Sequence, residues 1–205
     1  TESWAKQQYY VLAVGMKTLD LTKNNMKLSD LSRDFLEQDI EFVGLLMFLN
    51  EVKSDSHEAI SDLSAGNIYS VICTGDNAFT GAAVGRKVNI LPPSVESRRL
   101  SNIDSYKSMV ILGSVDANKD ANKVIWSDVD TQDPIADIID RRHADCRIVL
   151  TAQAFRLLRN ENRIGDLLDR VVVYARMKPE DKVEVVQIFQ KNGFVVDERN
   201  FGKNQ

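Results

Sequence analysis

Apolar positions in the first half of the chain form short runs that alternate with segments of helical spacing. The apolar runs predict strands at residues 9–16, 40–48 and 68–73. The segments of helical spacing predict helices at residues 28–38, 54–65 and 78–88. Between residues 41 and 88 the predicted order is strand, helix, strand, helix, which is typical of a parallel sheet with right-handed crossovers. The run at 40–48 is apolar almost throughout, as in a strand covered on both faces.

In the second half the pattern loosens and then becomes regular again. Residues 94–107 are polar and predict a loop. The strands predicted afterwards are 109–115 and 123–127, which suit a hairpin, then 146–150, 171–174 and one that begins at 194–196. The predicted helices are 134–142, 151–159 with Thr151 as N-cap, 164–169, and 179–190 with Pro179 at the first position. The fold class is therefore α/β, a Rossmann-like parallel sheet with helices on both faces.

The first candidate site lies where the strand at 68–73 stops, at Thr74, Gly75 and Asp76. Ligands bind at the carboxyl ends of the strands in an open α/β sheet, and a glycine lets backbone N–H groups approach an anion. The following helix directs its positive N-terminus at the same place, so the motif predicts a phosphate or phosphate–metal site. A plain turn, with Asp76 or Asn77 as the helix N-cap, is the alternative explanation of the same residues.

The second candidate site follows the strand at 171–174, where Arg176 precedes the helix that Pro179 begins and Lys182 lies one turn into that helix. A lysine near a helix N-terminus faces an unfavourable dipole, so its position favours an anionic partner. The alternative is an exposed lysine that pairs with Glu180 or Asp181.

Composition excludes several classes of function. The formal net charge of −4 and the pI of about 5.3 give no basic field for nucleic acid. The two cysteines, Cys73 and Cys146, lie in strand-like runs and predict reduced thiols. No apolar run approaches the roughly 20 residues of a membrane span. Neither histidine has a neighbour at metal-ligand spacing, so no metal-binding residue is predicted.

Taken together, the two candidate sites resemble the phosphorylation domain of the P-type ATPases, which has a haloacid-dehalogenase-like fold. The similarity runs through residues 44–53, 67–77 and 173–182, and is weak at 91–123. Within this family, the amino-acid sequence most resembles the fifth subfamily, which consists of pumps of endomembranes and includes polyamine transporters. This implies an integral membrane protein of which the present residues lie on the cytosolic face.

The resemblance implies a role for each residue of the two sites. Thr74 and Gly75 would bind the transferred phosphate, and Asp76 would position phosphate, water and the actuator domain. Lys182 would neutralise phosphoryl charge, and Arg176 would reach the nucleotide. Asp76 and Lys182 are thus the expected catalytic residues, and the implied cofactors are ATP and Mg²⁺.

The resemblance also implies a division of the chain and a set of partners. Residues 1–38 would end the nucleotide-binding domain, and residues 39–205 would be the C-terminal part of the phosphorylation domain, with a variable insertion at about 91–123. The actuator, nucleotide-binding and transmembrane domains would be partners within the same protein. The family's Asp-Lys-Thr-Gly-Thr and Gly-Asp-Gly-x-Asn-Asp runs do not occur, so the chain alone is expected to be inactive and, with an unpaired sheet edge, to self-associate.

Two other functions suit the same residues. One is a soluble phosphatase of the haloacid dehalogenase type, which the strand at 9–16 disfavours because it resembles the end of a nucleotide-binding domain. The other is a truncated binding or regulatory module that keeps the fold without catalysis. The transported substrate is not readable from the sequence, because transport selectivity resides in membrane helices.

Overall fold

The structure is a computed structural model, which describes residue 4 and residues 9–20, 27–49, 51–94, 109–116, 120–136, 138 and 145–196. The chain divides into two compact units, residues 1–50 and residues 51–205. Among the described residues, no helix has the length and apolar character that crossing a bilayer requires. The predicted polar loop at 94–107, except Ser94, and the chain after Val196 lie outside the described residues.

The first unit is built on an antiparallel pair of strands, β1 (Tyr9–Met16) and β2 (Glu41–Leu49). Both strands were predicted, but two expectations for β2 were wrong. It pairs with β1 instead of joining a parallel sheet, and its apolar residues are largely exposed, with Phe42 66% accessible. The predicted helix at 28–38 is reduced to a 3₁₀ turn, Leu28–Asp30, and a single helical turn, α1 (Arg33–Leu36).

The second unit contains a six-stranded sheet of order β3-β8-β7-β4-β5-β6. Its strands are β3 (Ile72–Cys73), β4 (Val110–Asp116), β5 (Asp120–Asp128), β6 (Pro134–Ile135), β7 (Arg147–Thr151) and β8 (Val171–Ala175). The first four in spatial order are parallel, whereas β5 and β6 run antiparallel to their neighbours. The α/β class is confirmed, but the sheet is mixed and not purely parallel. The hairpin of β4 and β5 is confirmed.

Helices cover both faces of this sheet, as predicted. On one face α3 (Ala78–Lys87) packs through its small residues Ala78, Gly81 and Ala82 against Val173 and its neighbours. On the opposite face the second core includes α4 (Ala152–Asn160) and α5 (Pro179–Lys191). Burying apolar side chains on both faces of β7 and β8 is the main stabilising contribution expected for such a sheet.

Four further predictions of local structure were wrong. The helix α2 (Ser56–Ala65) begins two residues later than predicted, and Asp55 occupies its N-cap position. The predicted helix at 134–142 begins instead as β6, because Pro134 and Ile135 pair with β5; residues 139–142 are not described. The strand at 68–73 is shortened to β3, and residues 194–196 form no strand.

Candidate functional site

The first part of the site is a closed turn at the carboxyl end of β3. The backbone N–H of Asp76 donates to Thr74 Oγ1, and the Thr74 hydroxyl donates to Asp76 Oδ2, both over 3.1 Å. Thr74 is half-buried, whereas Gly75 and Asp76 are exposed. The turn therefore presents a hydroxyl, a side-chain-free backbone and a carboxylate to solvent at the edge where α/β sheets bind ligands.

The helix after this turn starts with a side-chain cap. Asn77 Oδ1 accepts the backbone N–H of Thr80 over 2.9 Å, and Asn77 has extended dihedral angles. Asn77, one of the two candidates from the sequence, is thus the N-cap of α3. Because Asn77 caps the helix, the Asp76 carboxylate remains available to other partners at its positive end.

Backbone hydrogen bonds join the turn to the second part of the site, at the end of β8. Arg176 N–H donates to Asp76 O over 2.8 Å, and Met177 N–H donates to Thr74 O over 2.9 Å. Thr74 N–H in turn donates to Tyr174 O over 2.9 Å. These three bonds extend the β3–β8 pairing beyond the strands, so the two predicted motifs lie side by side.

Arg176 has a backbone φ of +59°, in the left-handed region that an arginine seldom adopts. Among the described residues, the other non-glycine residues with positive φ are Asn, Asp and Gln, and short Asn and Asp side chains tolerate this region well. The Arg176 side chain is exposed and makes no hydrogen bond or ion pair within the described part of the chain. Strain of this kind clusters at functional sites.

Lys182 lies in the first turns of α5, and its charge is felt at the end of β3. Burial raises the pKa of the Cys73 thiol to about 11, the Lys182 ammonium opposes that rise and Asp181 adds to it. Lys182 is exposed and forms no ion pair with any residue that the structure describes. The alternative in which Asp181 pairs with Lys182 is therefore wrong, since Asp181 has a different partner.

That partner is Arg156 of α4, which the sequence did not single out. Its Nε and Nη2 atoms donate to the two carboxylate oxygens of Asp181 over 2.8 and 2.6 Å. Asp181 is 4% exposed, and the Arg156 hydrogen bonds hold the pKa of this carboxyl below its usual range. No local pattern marks the pair, because its members are 25 positions apart on different helices.

The arrangement suits an anion better than a metal ion. A hydroxyl, exposed backbone at Gly75, the N-terminus of α3 and an unpaired ammonium are the groups that bind phosphate. Within the described residues, no group of three or more His, Cys, Asp or Glu lies close enough to hold a metal ion. The one exposed carboxylate of the turn, Asp76, does not by itself form a complete Mg²⁺ site.

Similarity to known proteins gives this geometry a context. No protein-family model matches the chain. A vacuolar cation-transporting ATPase of Saccharomyces cerevisiae is 28% identical over 92% of the chain and 13% of its own length. A polyamine-transporting ATPase of Mus musculus is 24% identical over 99% of the chain and 17% of its own length. The chain's curated relatives along nearly its whole length are P-type cation- and polyamine-transporting ATPases of the fifth subfamily, at 24–28% identity.

The homology covers nearly all of the chain and a small part of each ATPase. A third relative, the endoplasmic reticulum transmembrane helix translocase of Saccharomyces cerevisiae, is 28% identical over 94% of the chain and 15% of its own length. The chain thus spans less than a fifth of the length of these relatives. Their names give at least two kinds of transported substrate, cations (polyamines among them) and transmembrane helices, so the shared segment is common to proteins of differing transport specificity.

Proposed function

We propose that the chain is a cytosolic segment of a P-type ATPase that couples ATP hydrolysis, through an aspartyl-phosphate, to transport of a cation or polyamine across a membrane. The six-stranded sheet would belong to the haloacid-dehalogenase-like phosphorylation domain. Support comes from homology along nearly the whole chain and from the small fraction of each relative that the chain spans. The nucleophilic aspartate would belong to a segment outside these 205 residues, which contain no Asp-Lys-Thr-Gly-Thr run.

One structural observation carries the assignment of the site. The turn at Thr74 to Asp76 is bonded to the backbone of Arg176 and Met177, with the Lys182 charge close to the strand that leads into the turn. Residues about a hundred positions apart are thereby placed at one edge of the sheet. Phosphoryl transfer needs chiefly such positioning and electrostatic stabilisation from the protein.

Each residue would contribute a distinct interaction. The Thr74 hydroxyl hydrogen that goes to Asp76 Oδ2 is the one that a phosphate oxygen would accept. Gly75 would allow an oxygen to approach the backbone, and Lys182 would supply a point charge. Arg176 would offer a planar pair of donors to the nucleotide. ATP supplies the transferred phosphoryl group, and the transported substrate is selected elsewhere in the protein.

The test is a ¹H–¹⁵N titration of the 205-residue chain with inorganic phosphate at constant ionic strength. We expect saturable shifts concentrated at Thr74, Gly75, Asp76 and the backbone of Lys182. Lys182→Ala should weaken the apparent affinity by about tenfold or more, since it removes the charge that faces the anion. A dispersed spectrum that does not respond to phosphate would contradict the assignment of the site.

A further inference from the structure

Asp181 closes the first turn of the helix that carries Lys182. Its Oδ2 accepts the backbone N–H of Lys178 over 2.8 Å, so the carboxylate caps α5 from its third position. Later turns of α5 are fixed by burial of Val185 and Phe189. Asp181 therefore supplies the side-chain hydrogen bond that closes the first turn, which Pro179 begins.

Arg156 binds both carboxylate oxygens of Asp181 and so joins the start of α5 to α4. A bidentate arginine–carboxylate pair fixes angle as well as distance, which one hydrogen bond does not. The carboxylate is nearly inaccessible to solvent, whereas the guanidinium is partly exposed. Asp181 is thus held by three hydrogen bonds, one to the backbone and two to Arg156.

The charge of Asp181 also reaches the phosphate site. Asp181 raises the pKa of the Cys73 thiol and Lys182 lowers it. Both charges therefore act on Cys73, the residue directly before Thr74. An unpaired carboxylate whose charge acts on Cys73 would also repel a phosphate at the adjacent Thr74 and offset the attraction of Lys182. The guanidinium of Arg156 neutralises that carboxylate where the two groups meet.

We propose that Arg156 is a positioning residue of the phosphate site: its fork on Asp181 holds the first turn of α5 and cancels the carboxylate charge, which leaves Lys182 free to bind the anion. The proposal rests on the proposed function, because it assumes that Lys182 binds phosphate. Arg156 itself need not touch the ligand.

The chain offers a matched control in a second ion pair between the same helices. Arg159 pairs with Glu184, three residues further along each helix, and both side chains are about one-third exposed. Arg159→Gln removes an equivalent link between α4 and α5 but leaves the first turn of α5 intact. A merely structural role for Arg156 would make Arg156→Gln and Arg159→Gln alike in phosphate binding.

The experiment measures phosphate affinity from the Gly75 amide shift, with thermal unfolding recorded for each variant. We expect Arg156→Gln to weaken phosphate binding by about three- to tenfold, and Arg159→Gln to leave it unchanged even where both lower the melting temperature. Arg156→Lys should fall between Arg156→Gln and the unaltered chain, because it keeps the charge without the fork.

A double variant separates the effect of charge from a loss of folding. Arg156→Gln with Asp181→Asn removes the unpaired carboxylate, and the asparagine oxygen still accepts the Lys178 N–H. This variant should recover part of the affinity lost by Arg156→Gln. Equal affinity of Arg156→Gln and the unaltered chain, equal weakening by Arg156→Gln and Arg159→Gln, or no recovery in the double variant would each overturn the proposal. Absence of phosphate binding by the unaltered chain would instead contradict the proposed function.

Discussion

Gly75 is a residue whose identity the fold does not require. Its φ does not lie in the left-handed region, and a Cβ placed there would meet only Met177 O, at an ordinary 3.9 Å. A steric reason for glycine must therefore come from something that approaches from solvent. In the proposed site that approaching group is a phosphate oxygen.

Gly75→Ala should separate stability from binding. We expect the free energy of unfolding to stay the same or rise by about 0.4–1 kcal/mol, because alanine restricts the unfolded chain and suits the native backbone. Phosphate affinity should fall by about tenfold, because the added methyl group would keep a phosphate oxygen away from the Gly75 backbone. Urea unfolding and phosphate titration check the two parts. Unchanged affinity in a stable variant would mean that no ligand approaches this backbone.

At Arg176, unlike Gly75, the residue present is poorly suited to its own backbone conformation. Arg176→Gly should raise the free energy of unfolding by about 0.5–1 kcal/mol, because glycine adopts a φ of +59° without the steric cost. The same change should weaken binding of ATP by removing the guanidinium. Arg176→Asn is the control, because asparagine tolerates the backbone and carries no charge. A loss of stability in Arg176→Gly, measured by urea unfolding, would contradict this account.

At the scale of elements, the start of α5 depends on one buried carboxylate. The Arg156 hydrogen bonds lower the pKa of Asp181 in the folded chain, and its unfolded value is about 3.9. The contribution of this pair to stability is therefore complete above that unfolded pKa and is lost as pH falls through the lower folded pKa.

Asp181→Asn tests this dependence on pH. At pH 7 the variant should be less stable by about 1 kcal/mol, a modest value because Arg156 is partly exposed. The difference from the unaltered chain should shrink as the pH falls below about 4, because the unfolded chain then binds a proton at Asp181 that the folded ion pair does not yet bind. Urea unfolding between pH 7 and pH 3 measures it. A difference that stays constant over this range would argue against an ion pair at Asp181.

The sequence predicted the positions of helices and strands better than it predicted which strands pair with each other. Helical spacing and caps located α3, α4 and α5 to within a residue or two, because small buried residues, Thr151 and Pro179 are local signals. The apolar run of β2 identified a strand but not its pairing, since a continuous run does not distinguish a parallel from an antiparallel neighbour. Residues 134–142 were predicted to form a helix, but Pro134 and Ile135 pair with β5, so the segment begins as the strand β6.

The same contrast holds for the site. Thr74, Gly75, Asp76, Arg176 and Lys182 were found from the strand-end motifs and from the family resemblance. Arg156 was not, because its function depends on a contact between two helices. Whether the five residues bind phosphate stays a prediction. The domain division proposed after residue 38 also stays a prediction, although the boundary between the compact units follows residue 50.

At the scale of the whole molecule, apolar surface is exposed in the first unit, and β3 is paired on one side only among the described strands. Exposed apolar surface and free strand edges both promote association. We predict that the isolated chain self-associates as its concentration rises, as light scattering would show. Replacing Phe42 and Phe48 of β2 by serine should reduce the apparent mass. A monodisperse monomer over the same concentrations would contradict the prediction.

The assignment to a P-type ATPase is tested most directly on the longer protein of which we propose this chain to be a segment. Purified in detergent and incubated with Mg²⁺ and γ-labelled ATP, it should form a phosphoenzyme that is stable in acid and released by hydroxylamine, as an aspartyl-phosphate requires. Lys182→Ala should reduce the amount formed, while Arg159→Gln should not. A full-length protein that hydrolyses phosphate esters without such an intermediate, or that takes up no label, would contradict the claim that this chain belongs to a P-type ATPase.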